Sequence, residues 1–305
     1  MKIAVIGREG QLAQCLRIQG RARGHYVHAT GRPDVDLIKP DTVGAWLDQV
    51  KPSLVVNAAA YTAVDKAESD REQAFLINAT GAGELARLCA AASIPLIHIS
   101  TDFVFDGTRR RPYVETDTVL PLGTYGASKA AGEMTVQRAC PQHVILRTSW
   151  VYSAHGNNFL KTMLRLGAER AELGVVDDQR GSPTSAHDVA DAILAIAPRL
   201  VAATDPALWG TYHLTGAYET TWHGFAAEIF RQAAIRGATV PRLKAITTAD
   251  YPTPARRPAY SVLDNTKFLE TFGFALPDWR ASLSRCMADV CPNQAPGIQA
   301  PSQVA

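Results

Sequence analysis

Tyr125-Gly126-Ala127-Ser128-Lys129 sets a phenol and an ammonium four residues apart. On a helix, positions i and i+4 share a face, so both groups can point into one site. A lysine held near a tyrosine favours the phenolate and lowers the phenol pKa. Such a tyrosine can exchange a proton near neutral pH. A Tyr and a Lys on a solvated helix face would show the same spacing, so the pair takes its meaning from its surroundings.

Those surroundings are an alternation of short apolar runs and helical patterns. Strands are expected over Lys2–Gly7, His25–Ala29, Leu54–Asn57, Pro95–Ser100 and His143–Thr148, with helices near Gln11–Arg21, Pro40–Val50, Gln73–Ala92 and Thr124–Ala139. Continuous runs such as Leu54-Val55-Val56 suit strands covered on both faces, hence parallel. The pattern predicts an α/β fold: a Rossmann-type, doubly wound parallel sheet. After Val151 it loosens, with helices near Phe159–Arg170 and His187–Ala197 and strands near Leu173–Val176 and Thr211–Thr215. From Thr221 to Asp289 the helix signals are mixed, and Tyr251 to Pro258 is punctuated by proline. We expect a nucleotide-binding domain over 1–152, with 186–217 returning to it. A smaller, mixed α/β C-terminal substrate domain would span 153–185 and 218–290, and a disordered tail 291–305.

The 305 residues, 47% hydrophobic, suffice for a large core, and the formal charge of +2 is near neutral with no long basic run. Arg109-Arg110-Arg111 is a short loop cluster, so no nucleic-acid partner is expected. No run approaches a membrane span, and the N-terminal strand lacks the features of a signal peptide. Five scattered cysteines without a C-x-x-C suit reduced thiols in a cytoplasmic protein.

At the first βα junction stands Gly7-Arg8-Glu9-Gly10-Gln11-Leu12-Ala13. The glycines permit a tight turn and close backbone approach to a pyrophosphate, which the helix N-terminus attracts. Such a turn is often only a turn; its position favours dinucleotide binding. After the second strand no acidic residue stands where a ribose 2′-hydroxyl is usually held. Arg32 is placed to meet a 2′-phosphate, favouring NADPH over NADH, or is a solvated loop arginine. Asp36 and Leu37 could flank the adenine, and Asp36 could equally cap a helix. Asn57-Ala58-Ala59-Ala60-Tyr61 ends the third strand in small residues that leave room for a ligand or allow tight helix packing.

Assembled in this order, these motifs resemble the extended short-chain dehydrogenase/reductases and, within them, the reductases that complete dTDP-L-rhamnose synthesis. Further shared stretches are Thr62 to Glu68, Ser100 to Gly107, Arg147 to Tyr152, Asn157-Asn158-Phe159, Asp178 to Thr184 and Pro252 to Pro258. The resemblance runs to about Asp289. It implies an NAD(P)H-dependent oxidoreductase acting on the C4 ketone of a dTDP-linked deoxysugar, in a pathway that feeds lipopolysaccharide and O-antigen synthesis. Tyr125 would donate the proton, Lys129 would serve as its partner and a ribose ligand, and Thr101 would help polarise the ketone. Asp102 and Thr101 would border the sugar, with Trp150 packing on it. Gly7, Gly10, Gln11 and Leu12 would meet the cofactor phosphates. Ala59, Ala60, Tyr61 and Ser100 would lie toward its ribose and nicotinamide. Chemistry supports this, since hydride addition builds charge on a carbonyl oxygen that a tyrosine and a hydroxyl would stabilise. Trp150 could instead be core, and Arg257 could meet a phosphate or brace its loop.

Some relatives hold magnesium through a glutamate cluster at a dimer contact. This chain has Gln14 and His187 at the matching places, and neither offers the carboxylate a hard cation prefers. That counts against a metal-mediated dimer and assigns no metal site; a homodimer as such is left open. Two other functions compete. Related dehydratases carry a glutamate after the Asp, where this chain has Phe103. A non-catalytic, dinucleotide-binding regulatory subunit would tolerate loss of Thr101, Tyr125 or Lys129, and all three are present. A reductase for another nucleotide-linked 4-keto-6-deoxysugar stays open, because small pocket changes read one stereocentre.

Overall fold

Strands β1 (Lys2–Ile6), β2 (Tyr26–Thr30), β3 (Leu54–Asn57), β4 (Leu96–Thr101) and β5 (His143–Thr148) join Gly210–His213 in one sheet. Their order across it is β2, β1, β3, β4, β5, Gly210–His213, and every pair is parallel. The computed structural model describes residues 1–292. From residue 293 onward the expected disordered tail lies outside the described residues.

Alternation along the strands divides the core into two layers. Ile3, Val5, Leu54 and Val56 face helix α1 (Gln11–Ala22) and the helix Ala186–Val201. Ala4, Ile6 and Val55 face helix α2 (Pro40–Val50) and the helix Ala82–Ala91. Both faces are covered, so the strands read as continuous apolar runs. Full burial of each large side chain is worth about 1.5–3 kcal/mol. The strand order reverses between β1 and β3, so a crevice opens beyond their carboxyl ends, where ligands bind in such sheets.

The expected helix over Gln73–Ala92 is helical from Arg71 to Ala91, but Leu76–Gly81 widens into a π-helical turn. Asn78 sits in that turn and works outward. Its Oδ1 accepts the Tyr61 N–H at 2.7 Å, and its Nδ2 donates to Ser128 Oγ at 2.9 Å. The turn thus ties the loop after β3 to the helix Thr124–Ala139, which carries Tyr125 and Lys129.

A third apolar cluster gathers Leu160, Phe225, Phe230, Trp279 and Leu283 from the helices Phe159–Glu169, Trp222–Ile235 and Trp279–Val290. Glu172–Val176 pairs in parallel with Arg242–Ile246 beside it. The second of these strands is mostly exposed and carries two basic residues, so no apolar run announced it. Helix Thr266–Phe272 turns Phe268 back onto the first core layer. Among the described residues no helix is long and apolar enough to cross a membrane.

Candidate active site

The turn after β1 is built for close approach. Gly7 adopts φ +120°, open to glycine at little cost, and a Cβ there would lie 3.0 Å from the Ala58 carbonyl carbon. Gly10 donates to Gly7 O at 2.7 Å and stands at the N-cap of α1 with no side chain to cap it. The helix N-terminus therefore faces the crevice with its backbone N–H groups and positive dipole end. Gln11 fixes the turn to the far side of the cleft. Its Oε1 accepts from Ser153 Oγ and Asn158 Nδ2, both at 2.9 Å.

A cleft of about 640 Å³ runs from this turn along the ends of β3, β4 and β5. Gly10, Gln11 and Leu12 line one end, with Ala59 and Ala60 beside them. Ser100, Thr101, Asp102, Tyr125, Lys129 and Trp150 line the remainder. Five expected residues lie off its wall. Gly7 sits behind the turn. Arg32 is exposed at the end of β2. Asp36 makes a local turn, its Oδ1 accepting from Ile38 N at 3.3 Å. Leu37 is buried in the second core layer. The Tyr61 phenol turns away to donate to Asp70 at 3.0 Å. Arg8, inside the turn, reaches the end of β2 and pairs with Asp34.

Glycine places the reactive helix. A Cβ on Gly126 would lie 2.1 Å from the Phe103 carbonyl oxygen. The helix can thus rest directly on the turn Asp102–Val104, next in the chain to Thr101. Tyr125 packs edge-on against Phe103, ring centroids 5.7 Å apart. Thr101 Oγ1 accepts the Phe103 N–H at 3.2 Å and donates to Asp102 Oδ1 at 3.0 Å. Asp102 Oδ2 is buried with no partner. Burial pushes the Asp102 carboxyl up to about 6, partly offset by the nearby Ser261 and Thr101 hydroxyls.

The phenol runs opposite to the expectation. Burial pushes Tyr125 up to about 12, eased by the Thr101 hydroxyl and reinforced by Asp102. Lys129 does not lower it, because its ammonium is engaged elsewhere. Nζ donates to the Ile99 carbonyl at 2.6 Å and lies 3.4 Å from His98 Nε2. Burial lowers Lys129 itself to about 8, against the pull of Glu133 one turn on. Glu133 is already taken: Arg147 grips it at 2.9 and 2.6 Å, and Ser100 Oγ donates to it at 2.5 Å. At neutral pH the site therefore holds a protonated phenol, a proton donor rather than a base.

On the opposite wall Trp150 takes φ +47° and stacks on Trp222, ring centroids 3.6 Å apart and planes 8° from parallel. One indole face is thereby covered. Phe159, which also lines the cleft, belongs to the shared stretch Asn157-Asn158-Phe159, whereas Trp222 lay in a stretch of mixed pattern and only its aromatic type hinted at it. Arg257 braces its loop, donating to Asp65 at 2.8 Å and to the Ala255 carbonyl at 3.3 Å, and borders the cleft as well. Phe159, Trp222 and Arg257 also edge a second, mostly apolar cavity of about 490 Å³.

His187 stands with Asp188 and Asp191 in a cluster of metal-ligand types. Arg285 and Ser282 hold Asp188, and Arg23 holds Asp191, so both carboxylates have partners. The five cysteines are unpaired thiols.

A family model described as RmlD substrate binding domain matches residues 1–291. The dTDP-4-dehydrorhamnose reductase of Sinorhizobium fredii is 45% identical over 286 residues, covering 93% of this chain and 96% of that protein. The crystal structure of a dTDP-4-dehydrorhamnose reductase from Clostridium acetobutylicum superposes with a TM-score of 0.87 at 37% identity, over 94% of this chain and 98% of that one. One from Bacillus anthracis, solved in complex with NADP, gives 0.87 at 34% identity, over 94% and 99%.

Proposed function

The chain belongs to the RmlD substrate binding domain family, and on that premise we propose that it reduces the C4 ketone of dTDP-4-dehydro-β-L-rhamnose to dTDP-β-L-rhamnose, with NADPH as hydride donor. The observation that carries this reading is one cleft holding an uncapped helix N-terminus at one end and Thr101, Tyr125 and Lys129 at the other.

The residues present fit a dinucleotide. Gly7 and Gly10 leave a cradle that side chains would fill, and the N–H groups opening α1 suit a pyrophosphate. Ala59 and Ala60 leave room at the end of β3. Arg32 offers an exposed guanidinium at the end of β2, where an adenosine 2′-phosphate would meet it. When bound, the reduced nicotinamide supplies the hydride to C4.

Tyr125 gives its phenolic proton to the ketone oxygen as charge builds there, and Thr101 adds a hydroxyl to the same oxygen. A phenol held near 12 keeps its proton until that charge develops. Lys129, four residues along the same helix, serves the phenolate left behind only once its ammonium is drawn from the Ile99 carbonyl by the bound cofactor. Asp102 and Trp150 border the sugar. The second cavity, reached past Phe159 and Trp222, gives the nucleotide half of the substrate an apolar seat, with Arg257 between the two for its phosphates.

The test is turnover with purified protein. NADPH should be oxidised only when dTDP-4-dehydrorhamnose is added, with dTDP-rhamnose as product; oxidation that ignores the sugar would sink the reading. Tyr125→Phe should lose turnover by about 10²–10⁴-fold while still binding NADPH. Near-normal activity would remove Tyr125 as proton donor.

A further inference from the structure

Behind the reactive helix, Asn57 and His98 form a buried chain that ends on Lys129, and of the three the reaction as described uses only the lysine. Asn57 and His98 are each 1% exposed, and Lys129 is 2% exposed. The orientation of Asn57 is set by its own backbone neighbour, since Oδ1 accepts the Ala59 N–H at 3.3 Å. That leaves Nδ2, a donor, facing His98 Nδ1 at 3.0 Å. Nδ1 must accept, so the single proton of the neutral imidazole sits on Nε2. Nε2 lies 3.4 Å from Lys129 Nζ. Against an ammonium, two donors then confront one another. Against an amine, Nε2–H finds a lone pair.

We propose that His98, locked in its Nε2–H tautomer by Asn57, is a positioning residue that holds Lys129 in place and loosens its grip on its proton. Burial already lowers Lys129, and no other charged or titratable neighbour acts in that direction. Glu133, on the same helix, favours the ammonium and is shared with Arg147 of β5. Tyr125 is neutral. His143 of β5 bears on His98 alone and, like His98, is held below the ordinary histidine range by burial. The placement gives Lys129 two fixed partners, the Ile99 carbonyl that binds any N–H and an imidazole that disfavours the extra one. Lys129 is thereby held against β4, and the imidazole N–H acts in the same direction as the burial that lowers it to about 8.

The kinetic arm of the test rests on the ketone-reduction reading; the spectroscopic arm does not. Imidazole ¹⁵N spectra of the ligand-free wild-type protein should show His98 with bare Nδ1 and protonated Nε2 throughout the neutral range. A proton on Nδ1, or a doubly protonated ring, would overturn the proposal even if the enzyme turns over as expected. In the kinetic arm, the alkaline limb of kcat reports loss of the Lys129 proton. His98→Phe removes the opposing donor, and Asn57→Asp accepts from Nδ1–H and reverses the tautomer. Both should move that limb upward by about one pH unit. A lower kcat with an unmoved midpoint in both variants would mean a merely structural role and contradict the proposal. If His98→Phe fails to fold, Asn57→Asp and the wild-type spectra still decide. Absence of any turnover would count against the reductase reading and leave the tautomer to the spectra.

Discussion

Gly126 rests against the Phe103 carbonyl so closely that a Cβ there would lie 2.1 Å from the oxygen. An exposed helical Gly→Ala change usually stabilises by up to about 1 kcal/mol. Here Gly126→Ala must push the helix off the Asp102–Val104 turn, so it should destabilise by about 1–3 kcal/mol. It should also cut kcat, because Tyr125 moves with the helix relative to Thr101. Urea unfolding beside kinetics checks this; a stabilised, fully active variant would show that the contact does not position the phenol.

Asp102 links stability to pH. Its folded carboxyl titrates at about 6 against an ordinary 3.8. The folded state therefore binds more protons between those values, and stability falls as pH rises through that window. At pH 7 the buried carboxylate costs up to about 3 kcal/mol. Asp102→Asn should stabilise the ligand-free protein at pH 7 and lose that advantage below pH 4, while kcat/KM drops as the sugar loses its carboxylate. Equal stability gains at both pH values would show that the charge is not what costs.

Glu133 and Arg147 form an ion pair in which each side chain is 4% exposed. Arg147→Met leaves a buried carboxylate without its partner and should cost about 3–5 kcal/mol. The double variant Glu133→Leu/Arg147→Met should recover much of that loss in a thermal or denaturant melt. It should also move the alkaline limb of kcat downward, since Lys129 loses the one nearby charge that favours its ammonium. Additive losses, or an unmoved limb, would contradict the assignment.

Arg32 and Arg8 stand at the end of β2 in different states. Arg8 is paired with Asp34, whereas Arg32 is exposed and makes no hydrogen bond among the described residues. Arg32→Ala should therefore weaken NADPH more than NADH in equilibrium titrations, by about tenfold for one exposed charge-assisted contact. Equal losses for both nucleotides would count against a 2′-phosphate contact.

Much of this arrangement could be read from residue order. Leu54-Val55-Val56 announced a strand covered on both faces because both of its faces are covered, and Gly7 to Gly10 announced a turn because a Cβ at Gly7 meets Ala58. The spacing of Tyr125 and Lys129 gave a shared helix face. It could not say which acceptor the ammonium would find, and the nearest proved to be the Ile99 carbonyl on β4, a partner thirty residues away in the chain. The phenol consequently titrates upward, the reverse of the local expectation. Trp222 stacking on Trp150 is likewise a contact across 72 residues that no local pattern encodes. Arg242–Ile246 escaped because an exposed strand paired on one side needs no apolar run. Leu37 was expected beside the adenine because it follows β2 closely, and Tyr61 near the ribose and nicotinamide by resemblance; packing under Gly81 and a hydrogen bond to Asp70 turn their side chains elsewhere.

The central claim is that a hydride arrives at C4 of the sugar while Tyr125 protonates the oxygen. NADPH carrying deuterium at the transferable nicotinamide position, incubated with the purified chain and dTDP-4-dehydrorhamnose, tests it most directly. The account predicts dTDP-L-rhamnose with one deuterium, on C4, and no label elsewhere in the ring. Unlabelled product, label at another carbon, or unreacted ketone beside intact NADPH would contradict it.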